Sequence, residues 1–434
     1  MDTSVNDVKS KKVREIAVGF DLTDTYSQIS FGPADTEEVN TLSMVPGGAS
    51  YLIPTVLFRR REVNQWYAGI DAVKNADQDG FIVDRLLSRA AAGEEIVLGS
   101  EHYRPSALIA LFMRRVLSLL SVVEPVNRIK SFMITVDFLD NNMAAALTEA
   151  VASLNLSTDR VFFQSHMESF YYYNIYQPEV LWGHNVLLLD FSSENLRSLR
   201  LECNKKTTPV VAFIDPGNYP SFKIADYKDC VPDSPEAKAG DMKLYSIVNE
   251  LIENRLISAV YFIGDGFNRE LFKESVKLLC AKGRVFEGNN LYSKGACFAA
   301  KNKLYRTILS DNHVFLGNDK LKANVGINVQ RRGTVTYMPL LDAGVNWFEA
   351  KNHCNIILNQ GNKVSFVITP MTGKNPEVAD ITLGDLPKRP PKTTRLDITV
   401  RMQSESKLEV HVKDLGFGEL FPVSGLEWNE VINI

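Results

Sequence analysis

The stretch GFDLTDTYS, residues 19–27, follows a short apolar run that ends at Asp21. An apolar run, polar turn residues and then an alternating segment predict a strand, a turn and a return strand. The same plan recurs in VLLLDFSSE, residues 186–194, where the apolar run ends at Asp190 and a second return strand follows at residues 196–201. The chain therefore repeats one β-turn-β unit, with an aspartate where the first strand of each unit ends.

Strands and helices alternate between the two units and beyond the second one, which predicts helices that cover a mixed sheet. Residues 216–240 are polar and contain proline, which predicts a connecting segment. A strand at residues 259–263 runs into GDGF, residues 264–267, and then into a helix that ends near Cys280. Such a strand-to-glycine-to-helix junction presents backbone N–H groups to an anion.

Helical periodicity stops near residue 311, and short alternating runs separated by Gly, Asn and Pro follow. These runs predict an all-β domain after an α/β domain. The predicted organisation is a disordered tail at 1–14, an α/β domain at 15–310 in two parts, about 15–184 and 185–300, a linker at 311–322 and an all-β domain at 323–434.

Composition excludes several classes of function. The 434 residues are 45% hydrophobic and carry a net charge of −4, so we expect a globular protein that binds neither nucleic acid nor an anionic membrane surface. The N-terminus has no apolar signal segment. The five cysteines are scattered without a Cys-x-x-Cys pair, which favours the reducing cytoplasm over a disulfide or zinc scaffold.

The two β-turn-β units and the glycine turn resemble the superfamily of actin, the sugar kinases and the heat-shock ATPases. Residues 19–27 and 185–190 are similar to the two phosphate loops of the seventy-kilodalton heat-shock chaperones. Further similar segments follow in the same order along nearly the whole chain: IPTV at 53–56, GIDA at 69–72, FIGDG at 262–266, KGACFAA at 294–300 and GDLP at 384–387. The resemblance implies a two-lobed actin-type ATPase fold with duplicated ribonuclease-H-like lobes, followed by an all-β sandwich domain similar to a chaperone substrate-binding module.

The resemblance also implies ATP or ADP with Mg²⁺ as cofactor, the metal being held through water by Asp21 and Asp190. Asp190 is also a catalytic candidate, together with His166, which lies nearest the position of the family's catalytic glutamate. Arg85 is the basic residue nearest the family's catalytic lysine region, although a helix surface explains it better. The implied nucleotide-binding residues are Asp21, Leu22, Thr23, Asp24, Thr25, Asp190, Ser192, Ser193, Gly264, Asp265, Gly266 and Phe267.

The phosphate loops depart from the family pattern. Glycines that let the backbone approach a phosphate are replaced by Thr23 in the first loop and by Ser192, Ser193 and Glu194 in the second. Asp24 adds a carboxylate, and one carboxylate about 5 Å from a phosphate charge costs roughly 3 kcal/mol at an effective dielectric constant of about 20. The sequence therefore predicts weak nucleotide binding and little hydrolysis.

In the β domain, Ile327, Val329 and Gln330 correspond to the strand and loop that border the family's peptide groove. The resemblance implies that an extended peptide is held there by backbone pairing and an apolar pocket. Ordinary strands that end in a charged hairpin at Arg331 and Arg332 explain the same residues equally well.

Three functional hypotheses follow. The leading one is a cytoplasmic, chaperone-like protein that binds a protein or peptide and turns over little or no ATP. The alternative is an active Mg²⁺-ATP-dependent chaperone, in which Mg²⁺ neutralises Asp24 and Glu194. An actin-like polymer fits less well, because the β domain has no place in that family. Each Asp turn, taken alone, is also explained by a side chain that bonds its own backbone. The oligomeric state does not follow from the sequence.

Overall fold

The computed structural model describes residues 15–45, 47–61, 63–206, 208–307, 311–317, 319–371 and 375–434. The predicted disordered tail, residues 1–14, lies outside the described residues. The described chain is mixed α/β, and its C-terminal part is rich in β-strands, which confirms the predicted fold class at this level. It forms two compact units: unit 1 contains the described residues up to Cys203 and Ile214–Asn312, and unit 2 contains Asn204–Phe213 and His313–Ile434.

Sixteen strands of the described chain precede residue 313. They are β1 (Ile16–Leu22), β2 (Tyr26–Pro33), β3 (Asn40–Thr41), β4 (Ile53–Pro54), β5 (Leu57–Arg60), β6 (Trp66–Ala68), β7 (Gly80–Val83), β8 (Ile96–Leu98), β9 (Glu101–Tyr103), β10 (Ile129–Val136), β11 (Val161–Ser165), β12 (Asn185–Asp190), β13 (Asn195–Asn204), β14 (Val210–Lys223), β15 (Ile257–Ile263) and β16 (Arg284–Glu287).

Eight α-helices lie in the described part of unit 1. They are α1 (Ile70–Asn75), α2 (Leu86–Ala92), α3 (Pro105–Leu120), α4 (Asn141–Ala152), α5 (His166–Ile175), α6 (Pro235–Ile252), α7 (Lys273–Cys280) and α8 (Leu291–Leu304). Side-chain oxygens of Asp140, Ser165 and Ser234 cap the first turns of α4, α5 and α6. Among the described residues, no helix is both long and apolar enough to cross a bilayer.

The two main sheets of unit 1 have the same strand order. The first runs β11-β10-β1-β2-β3, and the second runs β16-β15-β12-β13-β14. In each sheet the opening strand, β1 or β12, pairs antiparallel with the next strand and parallel with a later one. Both opening strands are almost entirely buried, as their continuous apolar runs require. The β-turn-β unit predicted from the sequence is therefore duplicated at the level of whole sheets.

Helix α8 packs closely on the first sheet and on α5, at two glycines. A Cβ atom at Gly19 in β1 would lie 2.2 Å from the backbone nitrogen of Cys297 in α8. A Cβ atom at Gly295 in α8 would lie 1.9 Å from the carbonyl oxygen of Ser169 in α5. Both distances are far inside van der Waals contact, so the packing of α8 depends on glycine at both positions.

Two sequence-based boundaries are wrong. Residues 216–240, predicted as a connecting segment, contain most of β14 and the first turns of α6. Strand β14 tolerates its prolines because the pairing on its β17 side covers only Val210 to Ala212, which leaves the rest as an edge strand. Helix α7 begins at Lys273 and not directly after the glycine turn.

Unit 2 contains nine further strands in the described chain: β17 (His313–Phe315), β18 (Ala323–Arg331), β19 (Thr334–Leu341), β20 (Lys351–Leu358), β21 (Lys363–Pro370), β22 (Glu377–Thr382), β23 (Thr394–Ser404), β24 (Lys407–Asp414) and β25 (Glu427–Asn433). Strand β17 lies inside the predicted linker and pairs in parallel with the start of β14, which explains why residues 204–213 belong to unit 2. Two four-stranded sheets, β19-β18-β21-β22 and β20-β23-β24-β25, enclose one hydrophobic core.

Candidate functional site

The two strand-ending aspartates occupy equivalent positions in the two sheets of unit 1. Asp21 in β1 is 7% exposed and faces Gln28 across the β1-β2 hairpin. Asp190 in β12 is 2% exposed and faces Arg197 across the β12-β13 hairpin. The partner lies seven residues further along the chain in both hairpins. The second hairpin therefore places a guanidinium group where the first has an amide.

A continuous set of ion pairs connects these two aspartates. His166 at the start of α5 places Nε2 2.7 Å from Asp21 Oδ1 and Nδ1 3.6 Å from Asp137 Oδ1. Arg197 donates from Nη1 to Asp137 Oδ2 at 2.5 Å and from Nη2 to Asp190 Oδ2 at 2.9 Å. We call the series Asp21, His166, Asp137, Arg197, Asp190 the ion-pair chain. It sets two cations among three carboxylates.

His166 is a cation at neutral pH. Burial alone would lower the pKa of its imidazole, but the charges of Asp21 and Asp137 outweigh burial and raise the pKa to about 9. The ring of Tyr292 stacks on the imidazole, with centroids 4.0 Å apart. A protonated imidazole cannot accept a further proton, and the catalytic role of His166 stays a prediction.

The other charged groups of the ion-pair chain are stabilised in the same way. Burial would lower the pKa of the Arg197 guanidinium, but the charges of Asp190 and Asp137 raise it above its usual value. Partial desolvation would raise the pKa of the Asp137 carboxyl, yet His166 and Arg197 lower it well below its usual range. The Asp137 side chain is 55% exposed, so the middle of the ion-pair chain faces solvent while both ends are buried.

The first phosphate-loop candidate forms a turn that is closed by its own side chains. Thr23 Oγ1 accepts hydrogen bonds from the backbone nitrogens of Thr25 and Tyr26. The Asp24 carboxylate points to the first turn of α2, where it accepts hydrogen bonds from the backbone nitrogens of Leu87 and Ser88. This carboxylate caps a helix, and the expected repulsion between its charge and a phosphate stays a prediction. Leu22 is buried.

The second phosphate-loop candidate is closed in the same manner. Asp190 Oδ1 accepts hydrogen bonds from the backbone nitrogen and the hydroxyl of Ser192, at 2.8 and 2.5 Å. The Ser193 hydroxyl donates to the carbonyl of Asn195. Because Arg197 holds Asp190 Oδ2, both oxygens of this carboxylate already have donors. In this conformation they do not fit the role of hydrated Mg²⁺ ligands.

The glycine turn has a packing role. Gly264 has φ of +94°, and a Cβ atom there would lie 2.3 Å from the backbone nitrogen of Ser192. A Cβ atom at Gly266 would lie 2.3 Å from a methyl carbon of Ile224. Phe267 packs on the core of the second sheet, and Asp265 is exposed beside Lys228. Glycine is thus required at both positions, because other segments of the same chain approach closely.

An anion of the protein lies at the start of α7, the helix that follows the glycine turn. Asp241 in α6 accepts hydrogen bonds from the backbone nitrogens of Glu274 and Ser275 in the first turn of α7. It also accepts one from the Ser275 hydroxyl. Among the described residues, no group of three or more His, Cys, Asp or Glu side chains is arranged to hold a metal ion.

Arg85 is not one of the residues of the ion-pair chain. It is exposed, has φ of +49° and precedes the first residue of α2.

The predicted peptide-binding residues of unit 2 have unequal access to solvent. Ile327 is 2% exposed within the core, and Val329 packs partly against the same core. Gln330 is exposed near the β18-β19 hairpin and donates to the carbonyl of Gly333. A peptide could reach Gln330, whereas the side chain of Ile327 is not available to it.

A family model described as "Family of unknown function (DUF5716) C-terminal" matches residues 38–318, which is more than half of the chain. The chain belongs to this family. A second model, described as "Domain of unknown function (DUF8552)", matches residues 320–434. No curated protein matches the chain. The DUF5716 match contains four of the five residues of the ion-pair chain and begins after Asp21.

Sequence reasoning missed three residues of this DUF5716 protein: Asp137, Arg197 and Tyr292. Arg197 had a usable signal, since a short turn after Asp190 sets the hairpin register that brings the two side chains together. Asp137 directly follows β10, the parallel neighbour of β1, so it lies at the same sheet edge as Asp21. Nothing near Tyr292 in the sequence indicates that its ring stacks on His166.

Proposed function

We propose that this DUF5716 protein is a chaperone-like protein derived from the two-lobed actin-type ATPases, in which the nucleotide site no longer turns over ATP. The repeated strand order of the two sheets in unit 1 supports this ancestry. The aspartate near the end of the first strand in each sheet supports it further. Helix α8 also follows the second sheet in sequence but packs on the first, which suits two lobes built as one body.

The ion-pair chain is the observation that best supports the proposed loss of ATP turnover. In the proposed ancestor, hydrated Mg²⁺ supplies the positive charge between the two aspartates. Here Arg197 and, at neutral pH, protonated His166 supply it. Removing the partner of a buried carboxylate costs on the order of 3 kcal/mol, which corresponds to about a hundredfold in binding affinity. Nucleotide binding between these aspartates would have to overcome that cost.

The remaining anion-binding groups are satisfied within the protein. Thr23 Oγ1 and Asp190 Oδ1 accept N–H groups of the two loops, while Asp24 and Asp241 cap α2 and α7. A phosphate would have to compete with each of these acceptors. The site is thus better suited to holding the two lobes together than to binding a ligand.

We propose that the protein acts as a scaffold or as a protein- or peptide-binding module in the cytoplasm. All five cysteines are free thiols, which suits a reducing compartment. Gln330 and the exposed part of the β18-β19 hairpin form one candidate contact surface for an extended peptide.

Calorimetric titration with ATP and Mg²⁺, combined with a sensitive hydrolysis assay, tests the proposal. We expect no heat of binding at millimolar nucleotide and no hydrolysis above background. Micromolar binding that is lost in Asp190→Ala, together with hydrolysis that depends on Asp21, would instead establish the active chaperone. Asp229→Ala is the matched control, because this aspartate is exposed and belongs neither to the ion-pair chain nor to the implied nucleotide-binding residues.

A further inference from the structure

Residues 415–425 of unit 2 form a loop with unusual exposure of apolar side chains, which we call the apolar loop. Phe417, Leu420 and Val423 are 41%, 87% and 55% exposed. Leu420 is more exposed than any other large apolar side chain in the described chain. Apolar side chains that protrude together on a surface mark a contact with a protein or a membrane.

The loop is fixed in place by one buried carboxylate. Asp414, with 0% of its side chain exposed, accepts hydrogen bonds from the backbone nitrogens of Gly416 and Ser424 at the two ends of the loop. Arg389 completes this arrangement with two hydrogen bonds to Asp414, at 2.7 and 2.8 Å. The apolar side chains are therefore held outward before any contact forms, and ordering the loop adds little to the cost of binding.

Residues 388–395, a segment rich in cations, contact the apolar loop at two points. The backbone nitrogen of Arg395 donates to the carbonyl of Gly416, and Arg389 Nη2 donates to the carbonyl of Pro422. Lys388, Lys392 and Arg395 are exposed and form no ion pair with a described residue. Against these three cations, the loop carries one acid, Glu419.

We propose that the apolar loop and its basic border bind the surface of a bilayer that contains anionic phospholipids. Protruding apolar side chains enter the interface, and flanking cations bind the headgroups. The charge of residues 388–395 is opposite in sign to the net charge of the chain, on which the prediction of no membrane contact rested. The proposal is independent of the function proposed for unit 1.

Sedimentation of the full chain with vesicles tests this site. Vesicles of phosphatidylcholine with phosphatidylserine should bind the protein, and vesicles of phosphatidylcholine alone should bind it more weakly. Leu420→Ser should lower the partition coefficient about tenfold. The triple variant Lys388→Gln, Lys392→Gln, Arg395→Gln should lower it about a hundredfold, and Glu419→Gln should raise it about fivefold.

Matched controls separate the site from general effects of charge and hydrophobicity. The triple variant Arg331→Gln, Arg332→Gln, Lys407→Gln removes the same charge from exposed positions elsewhere in unit 2, and Val378→Ser removes another exposed apolar side chain. Both should bind vesicles as the wild type does, and all variants should keep its melting temperature. Equal losses in control and loop variants would overturn the proposal. So would a wild type that does not bind phosphatidylserine vesicles, which would favour a protein with an apolar pocket as the partner of the loop.

Discussion

Replacing His166 by glutamine should remove a pH-dependent part of the stability of unit 1. The pKa of His166 is about 9 in the folded protein, against about 6.5 in an unfolded chain. At about 1.4 kcal/mol per pKa unit, the difference corresponds to about 3 kcal/mol. Because the folded-state pKa is the higher one, this contribution is fully present below pH 6.5 and decreases as the pH rises towards 9.

Urea unfolding of the wild type and His166→Gln between pH 6 and 10 measures the effect. The difference in free energy of unfolding should shrink by about 3 kcal/mol across that range, because glutamine can still donate to Asp21 but carries no charge. Hydrogen exchange in β1 and α5 follows unit 1 separately from unit 2. Parallel pH curves for the two proteins, or a difference that grows with pH, would refute the reasoning.

Three further substitutions test individual contacts. Arg197→Met should destabilise unit 1 by about 3 kcal/mol, because Asp190 loses its buried partner. Arg200→Met, near the exposed Asp215 carboxylate, should cost less than about 1 kcal/mol when both variants are unfolded in urea. Asp414→Asn should lower the free energy of unfolding of unit 2 by about 3 kcal/mol, because Arg389 loses its buried partner. Hydrogen exchange in residues 415–425 should become faster, and unchanged exchange would contradict the role given to this carboxylate. Gly295→Ala should cost about 3 kcal/mol through its contact with Ser169, while Gly288→Ala, which has open space around it, should leave the melting temperature nearly unchanged.

The repeated β-turn-β plan could be predicted from sequence because its signals are local. Continuous apolar runs end at Asp21 and Asp190, and polar turn residues follow both. The all-β character after residue 311 was equally visible in short alternating runs. The start of α6 was missed because its N-cap, Ser234, and the following Pro235 lie within a segment that reads as a polar connector. The long edge strand β14 was missed because it contains prolines.

The sequence could not show that the polar groups of the candidate site form hydrogen bonds and ion pairs with one another. Asp24 and Leu87 are far apart in the chain, as are Asp21 and His166, and only the tertiary fold brings each pair together. The loss of loop glycines predicted a weakened phosphate site, but the sequence did not reveal that the protein's own cations lie between the aspartates. Only the contact of Arg197 with Asp190 could have been predicted from the local sequence, through the register of the hairpin.

A crystal structure obtained with Mg²⁺ and a non-hydrolysable ATP analogue tests the central claim most directly. Our account predicts Arg197 on Asp190 and His166 on Asp21, with neither nucleotide nor metal between the two lobes. Clear density for a Mg²⁺-bound triphosphate in that position, with Arg197 and His166 displaced from the two aspartates, would contradict it.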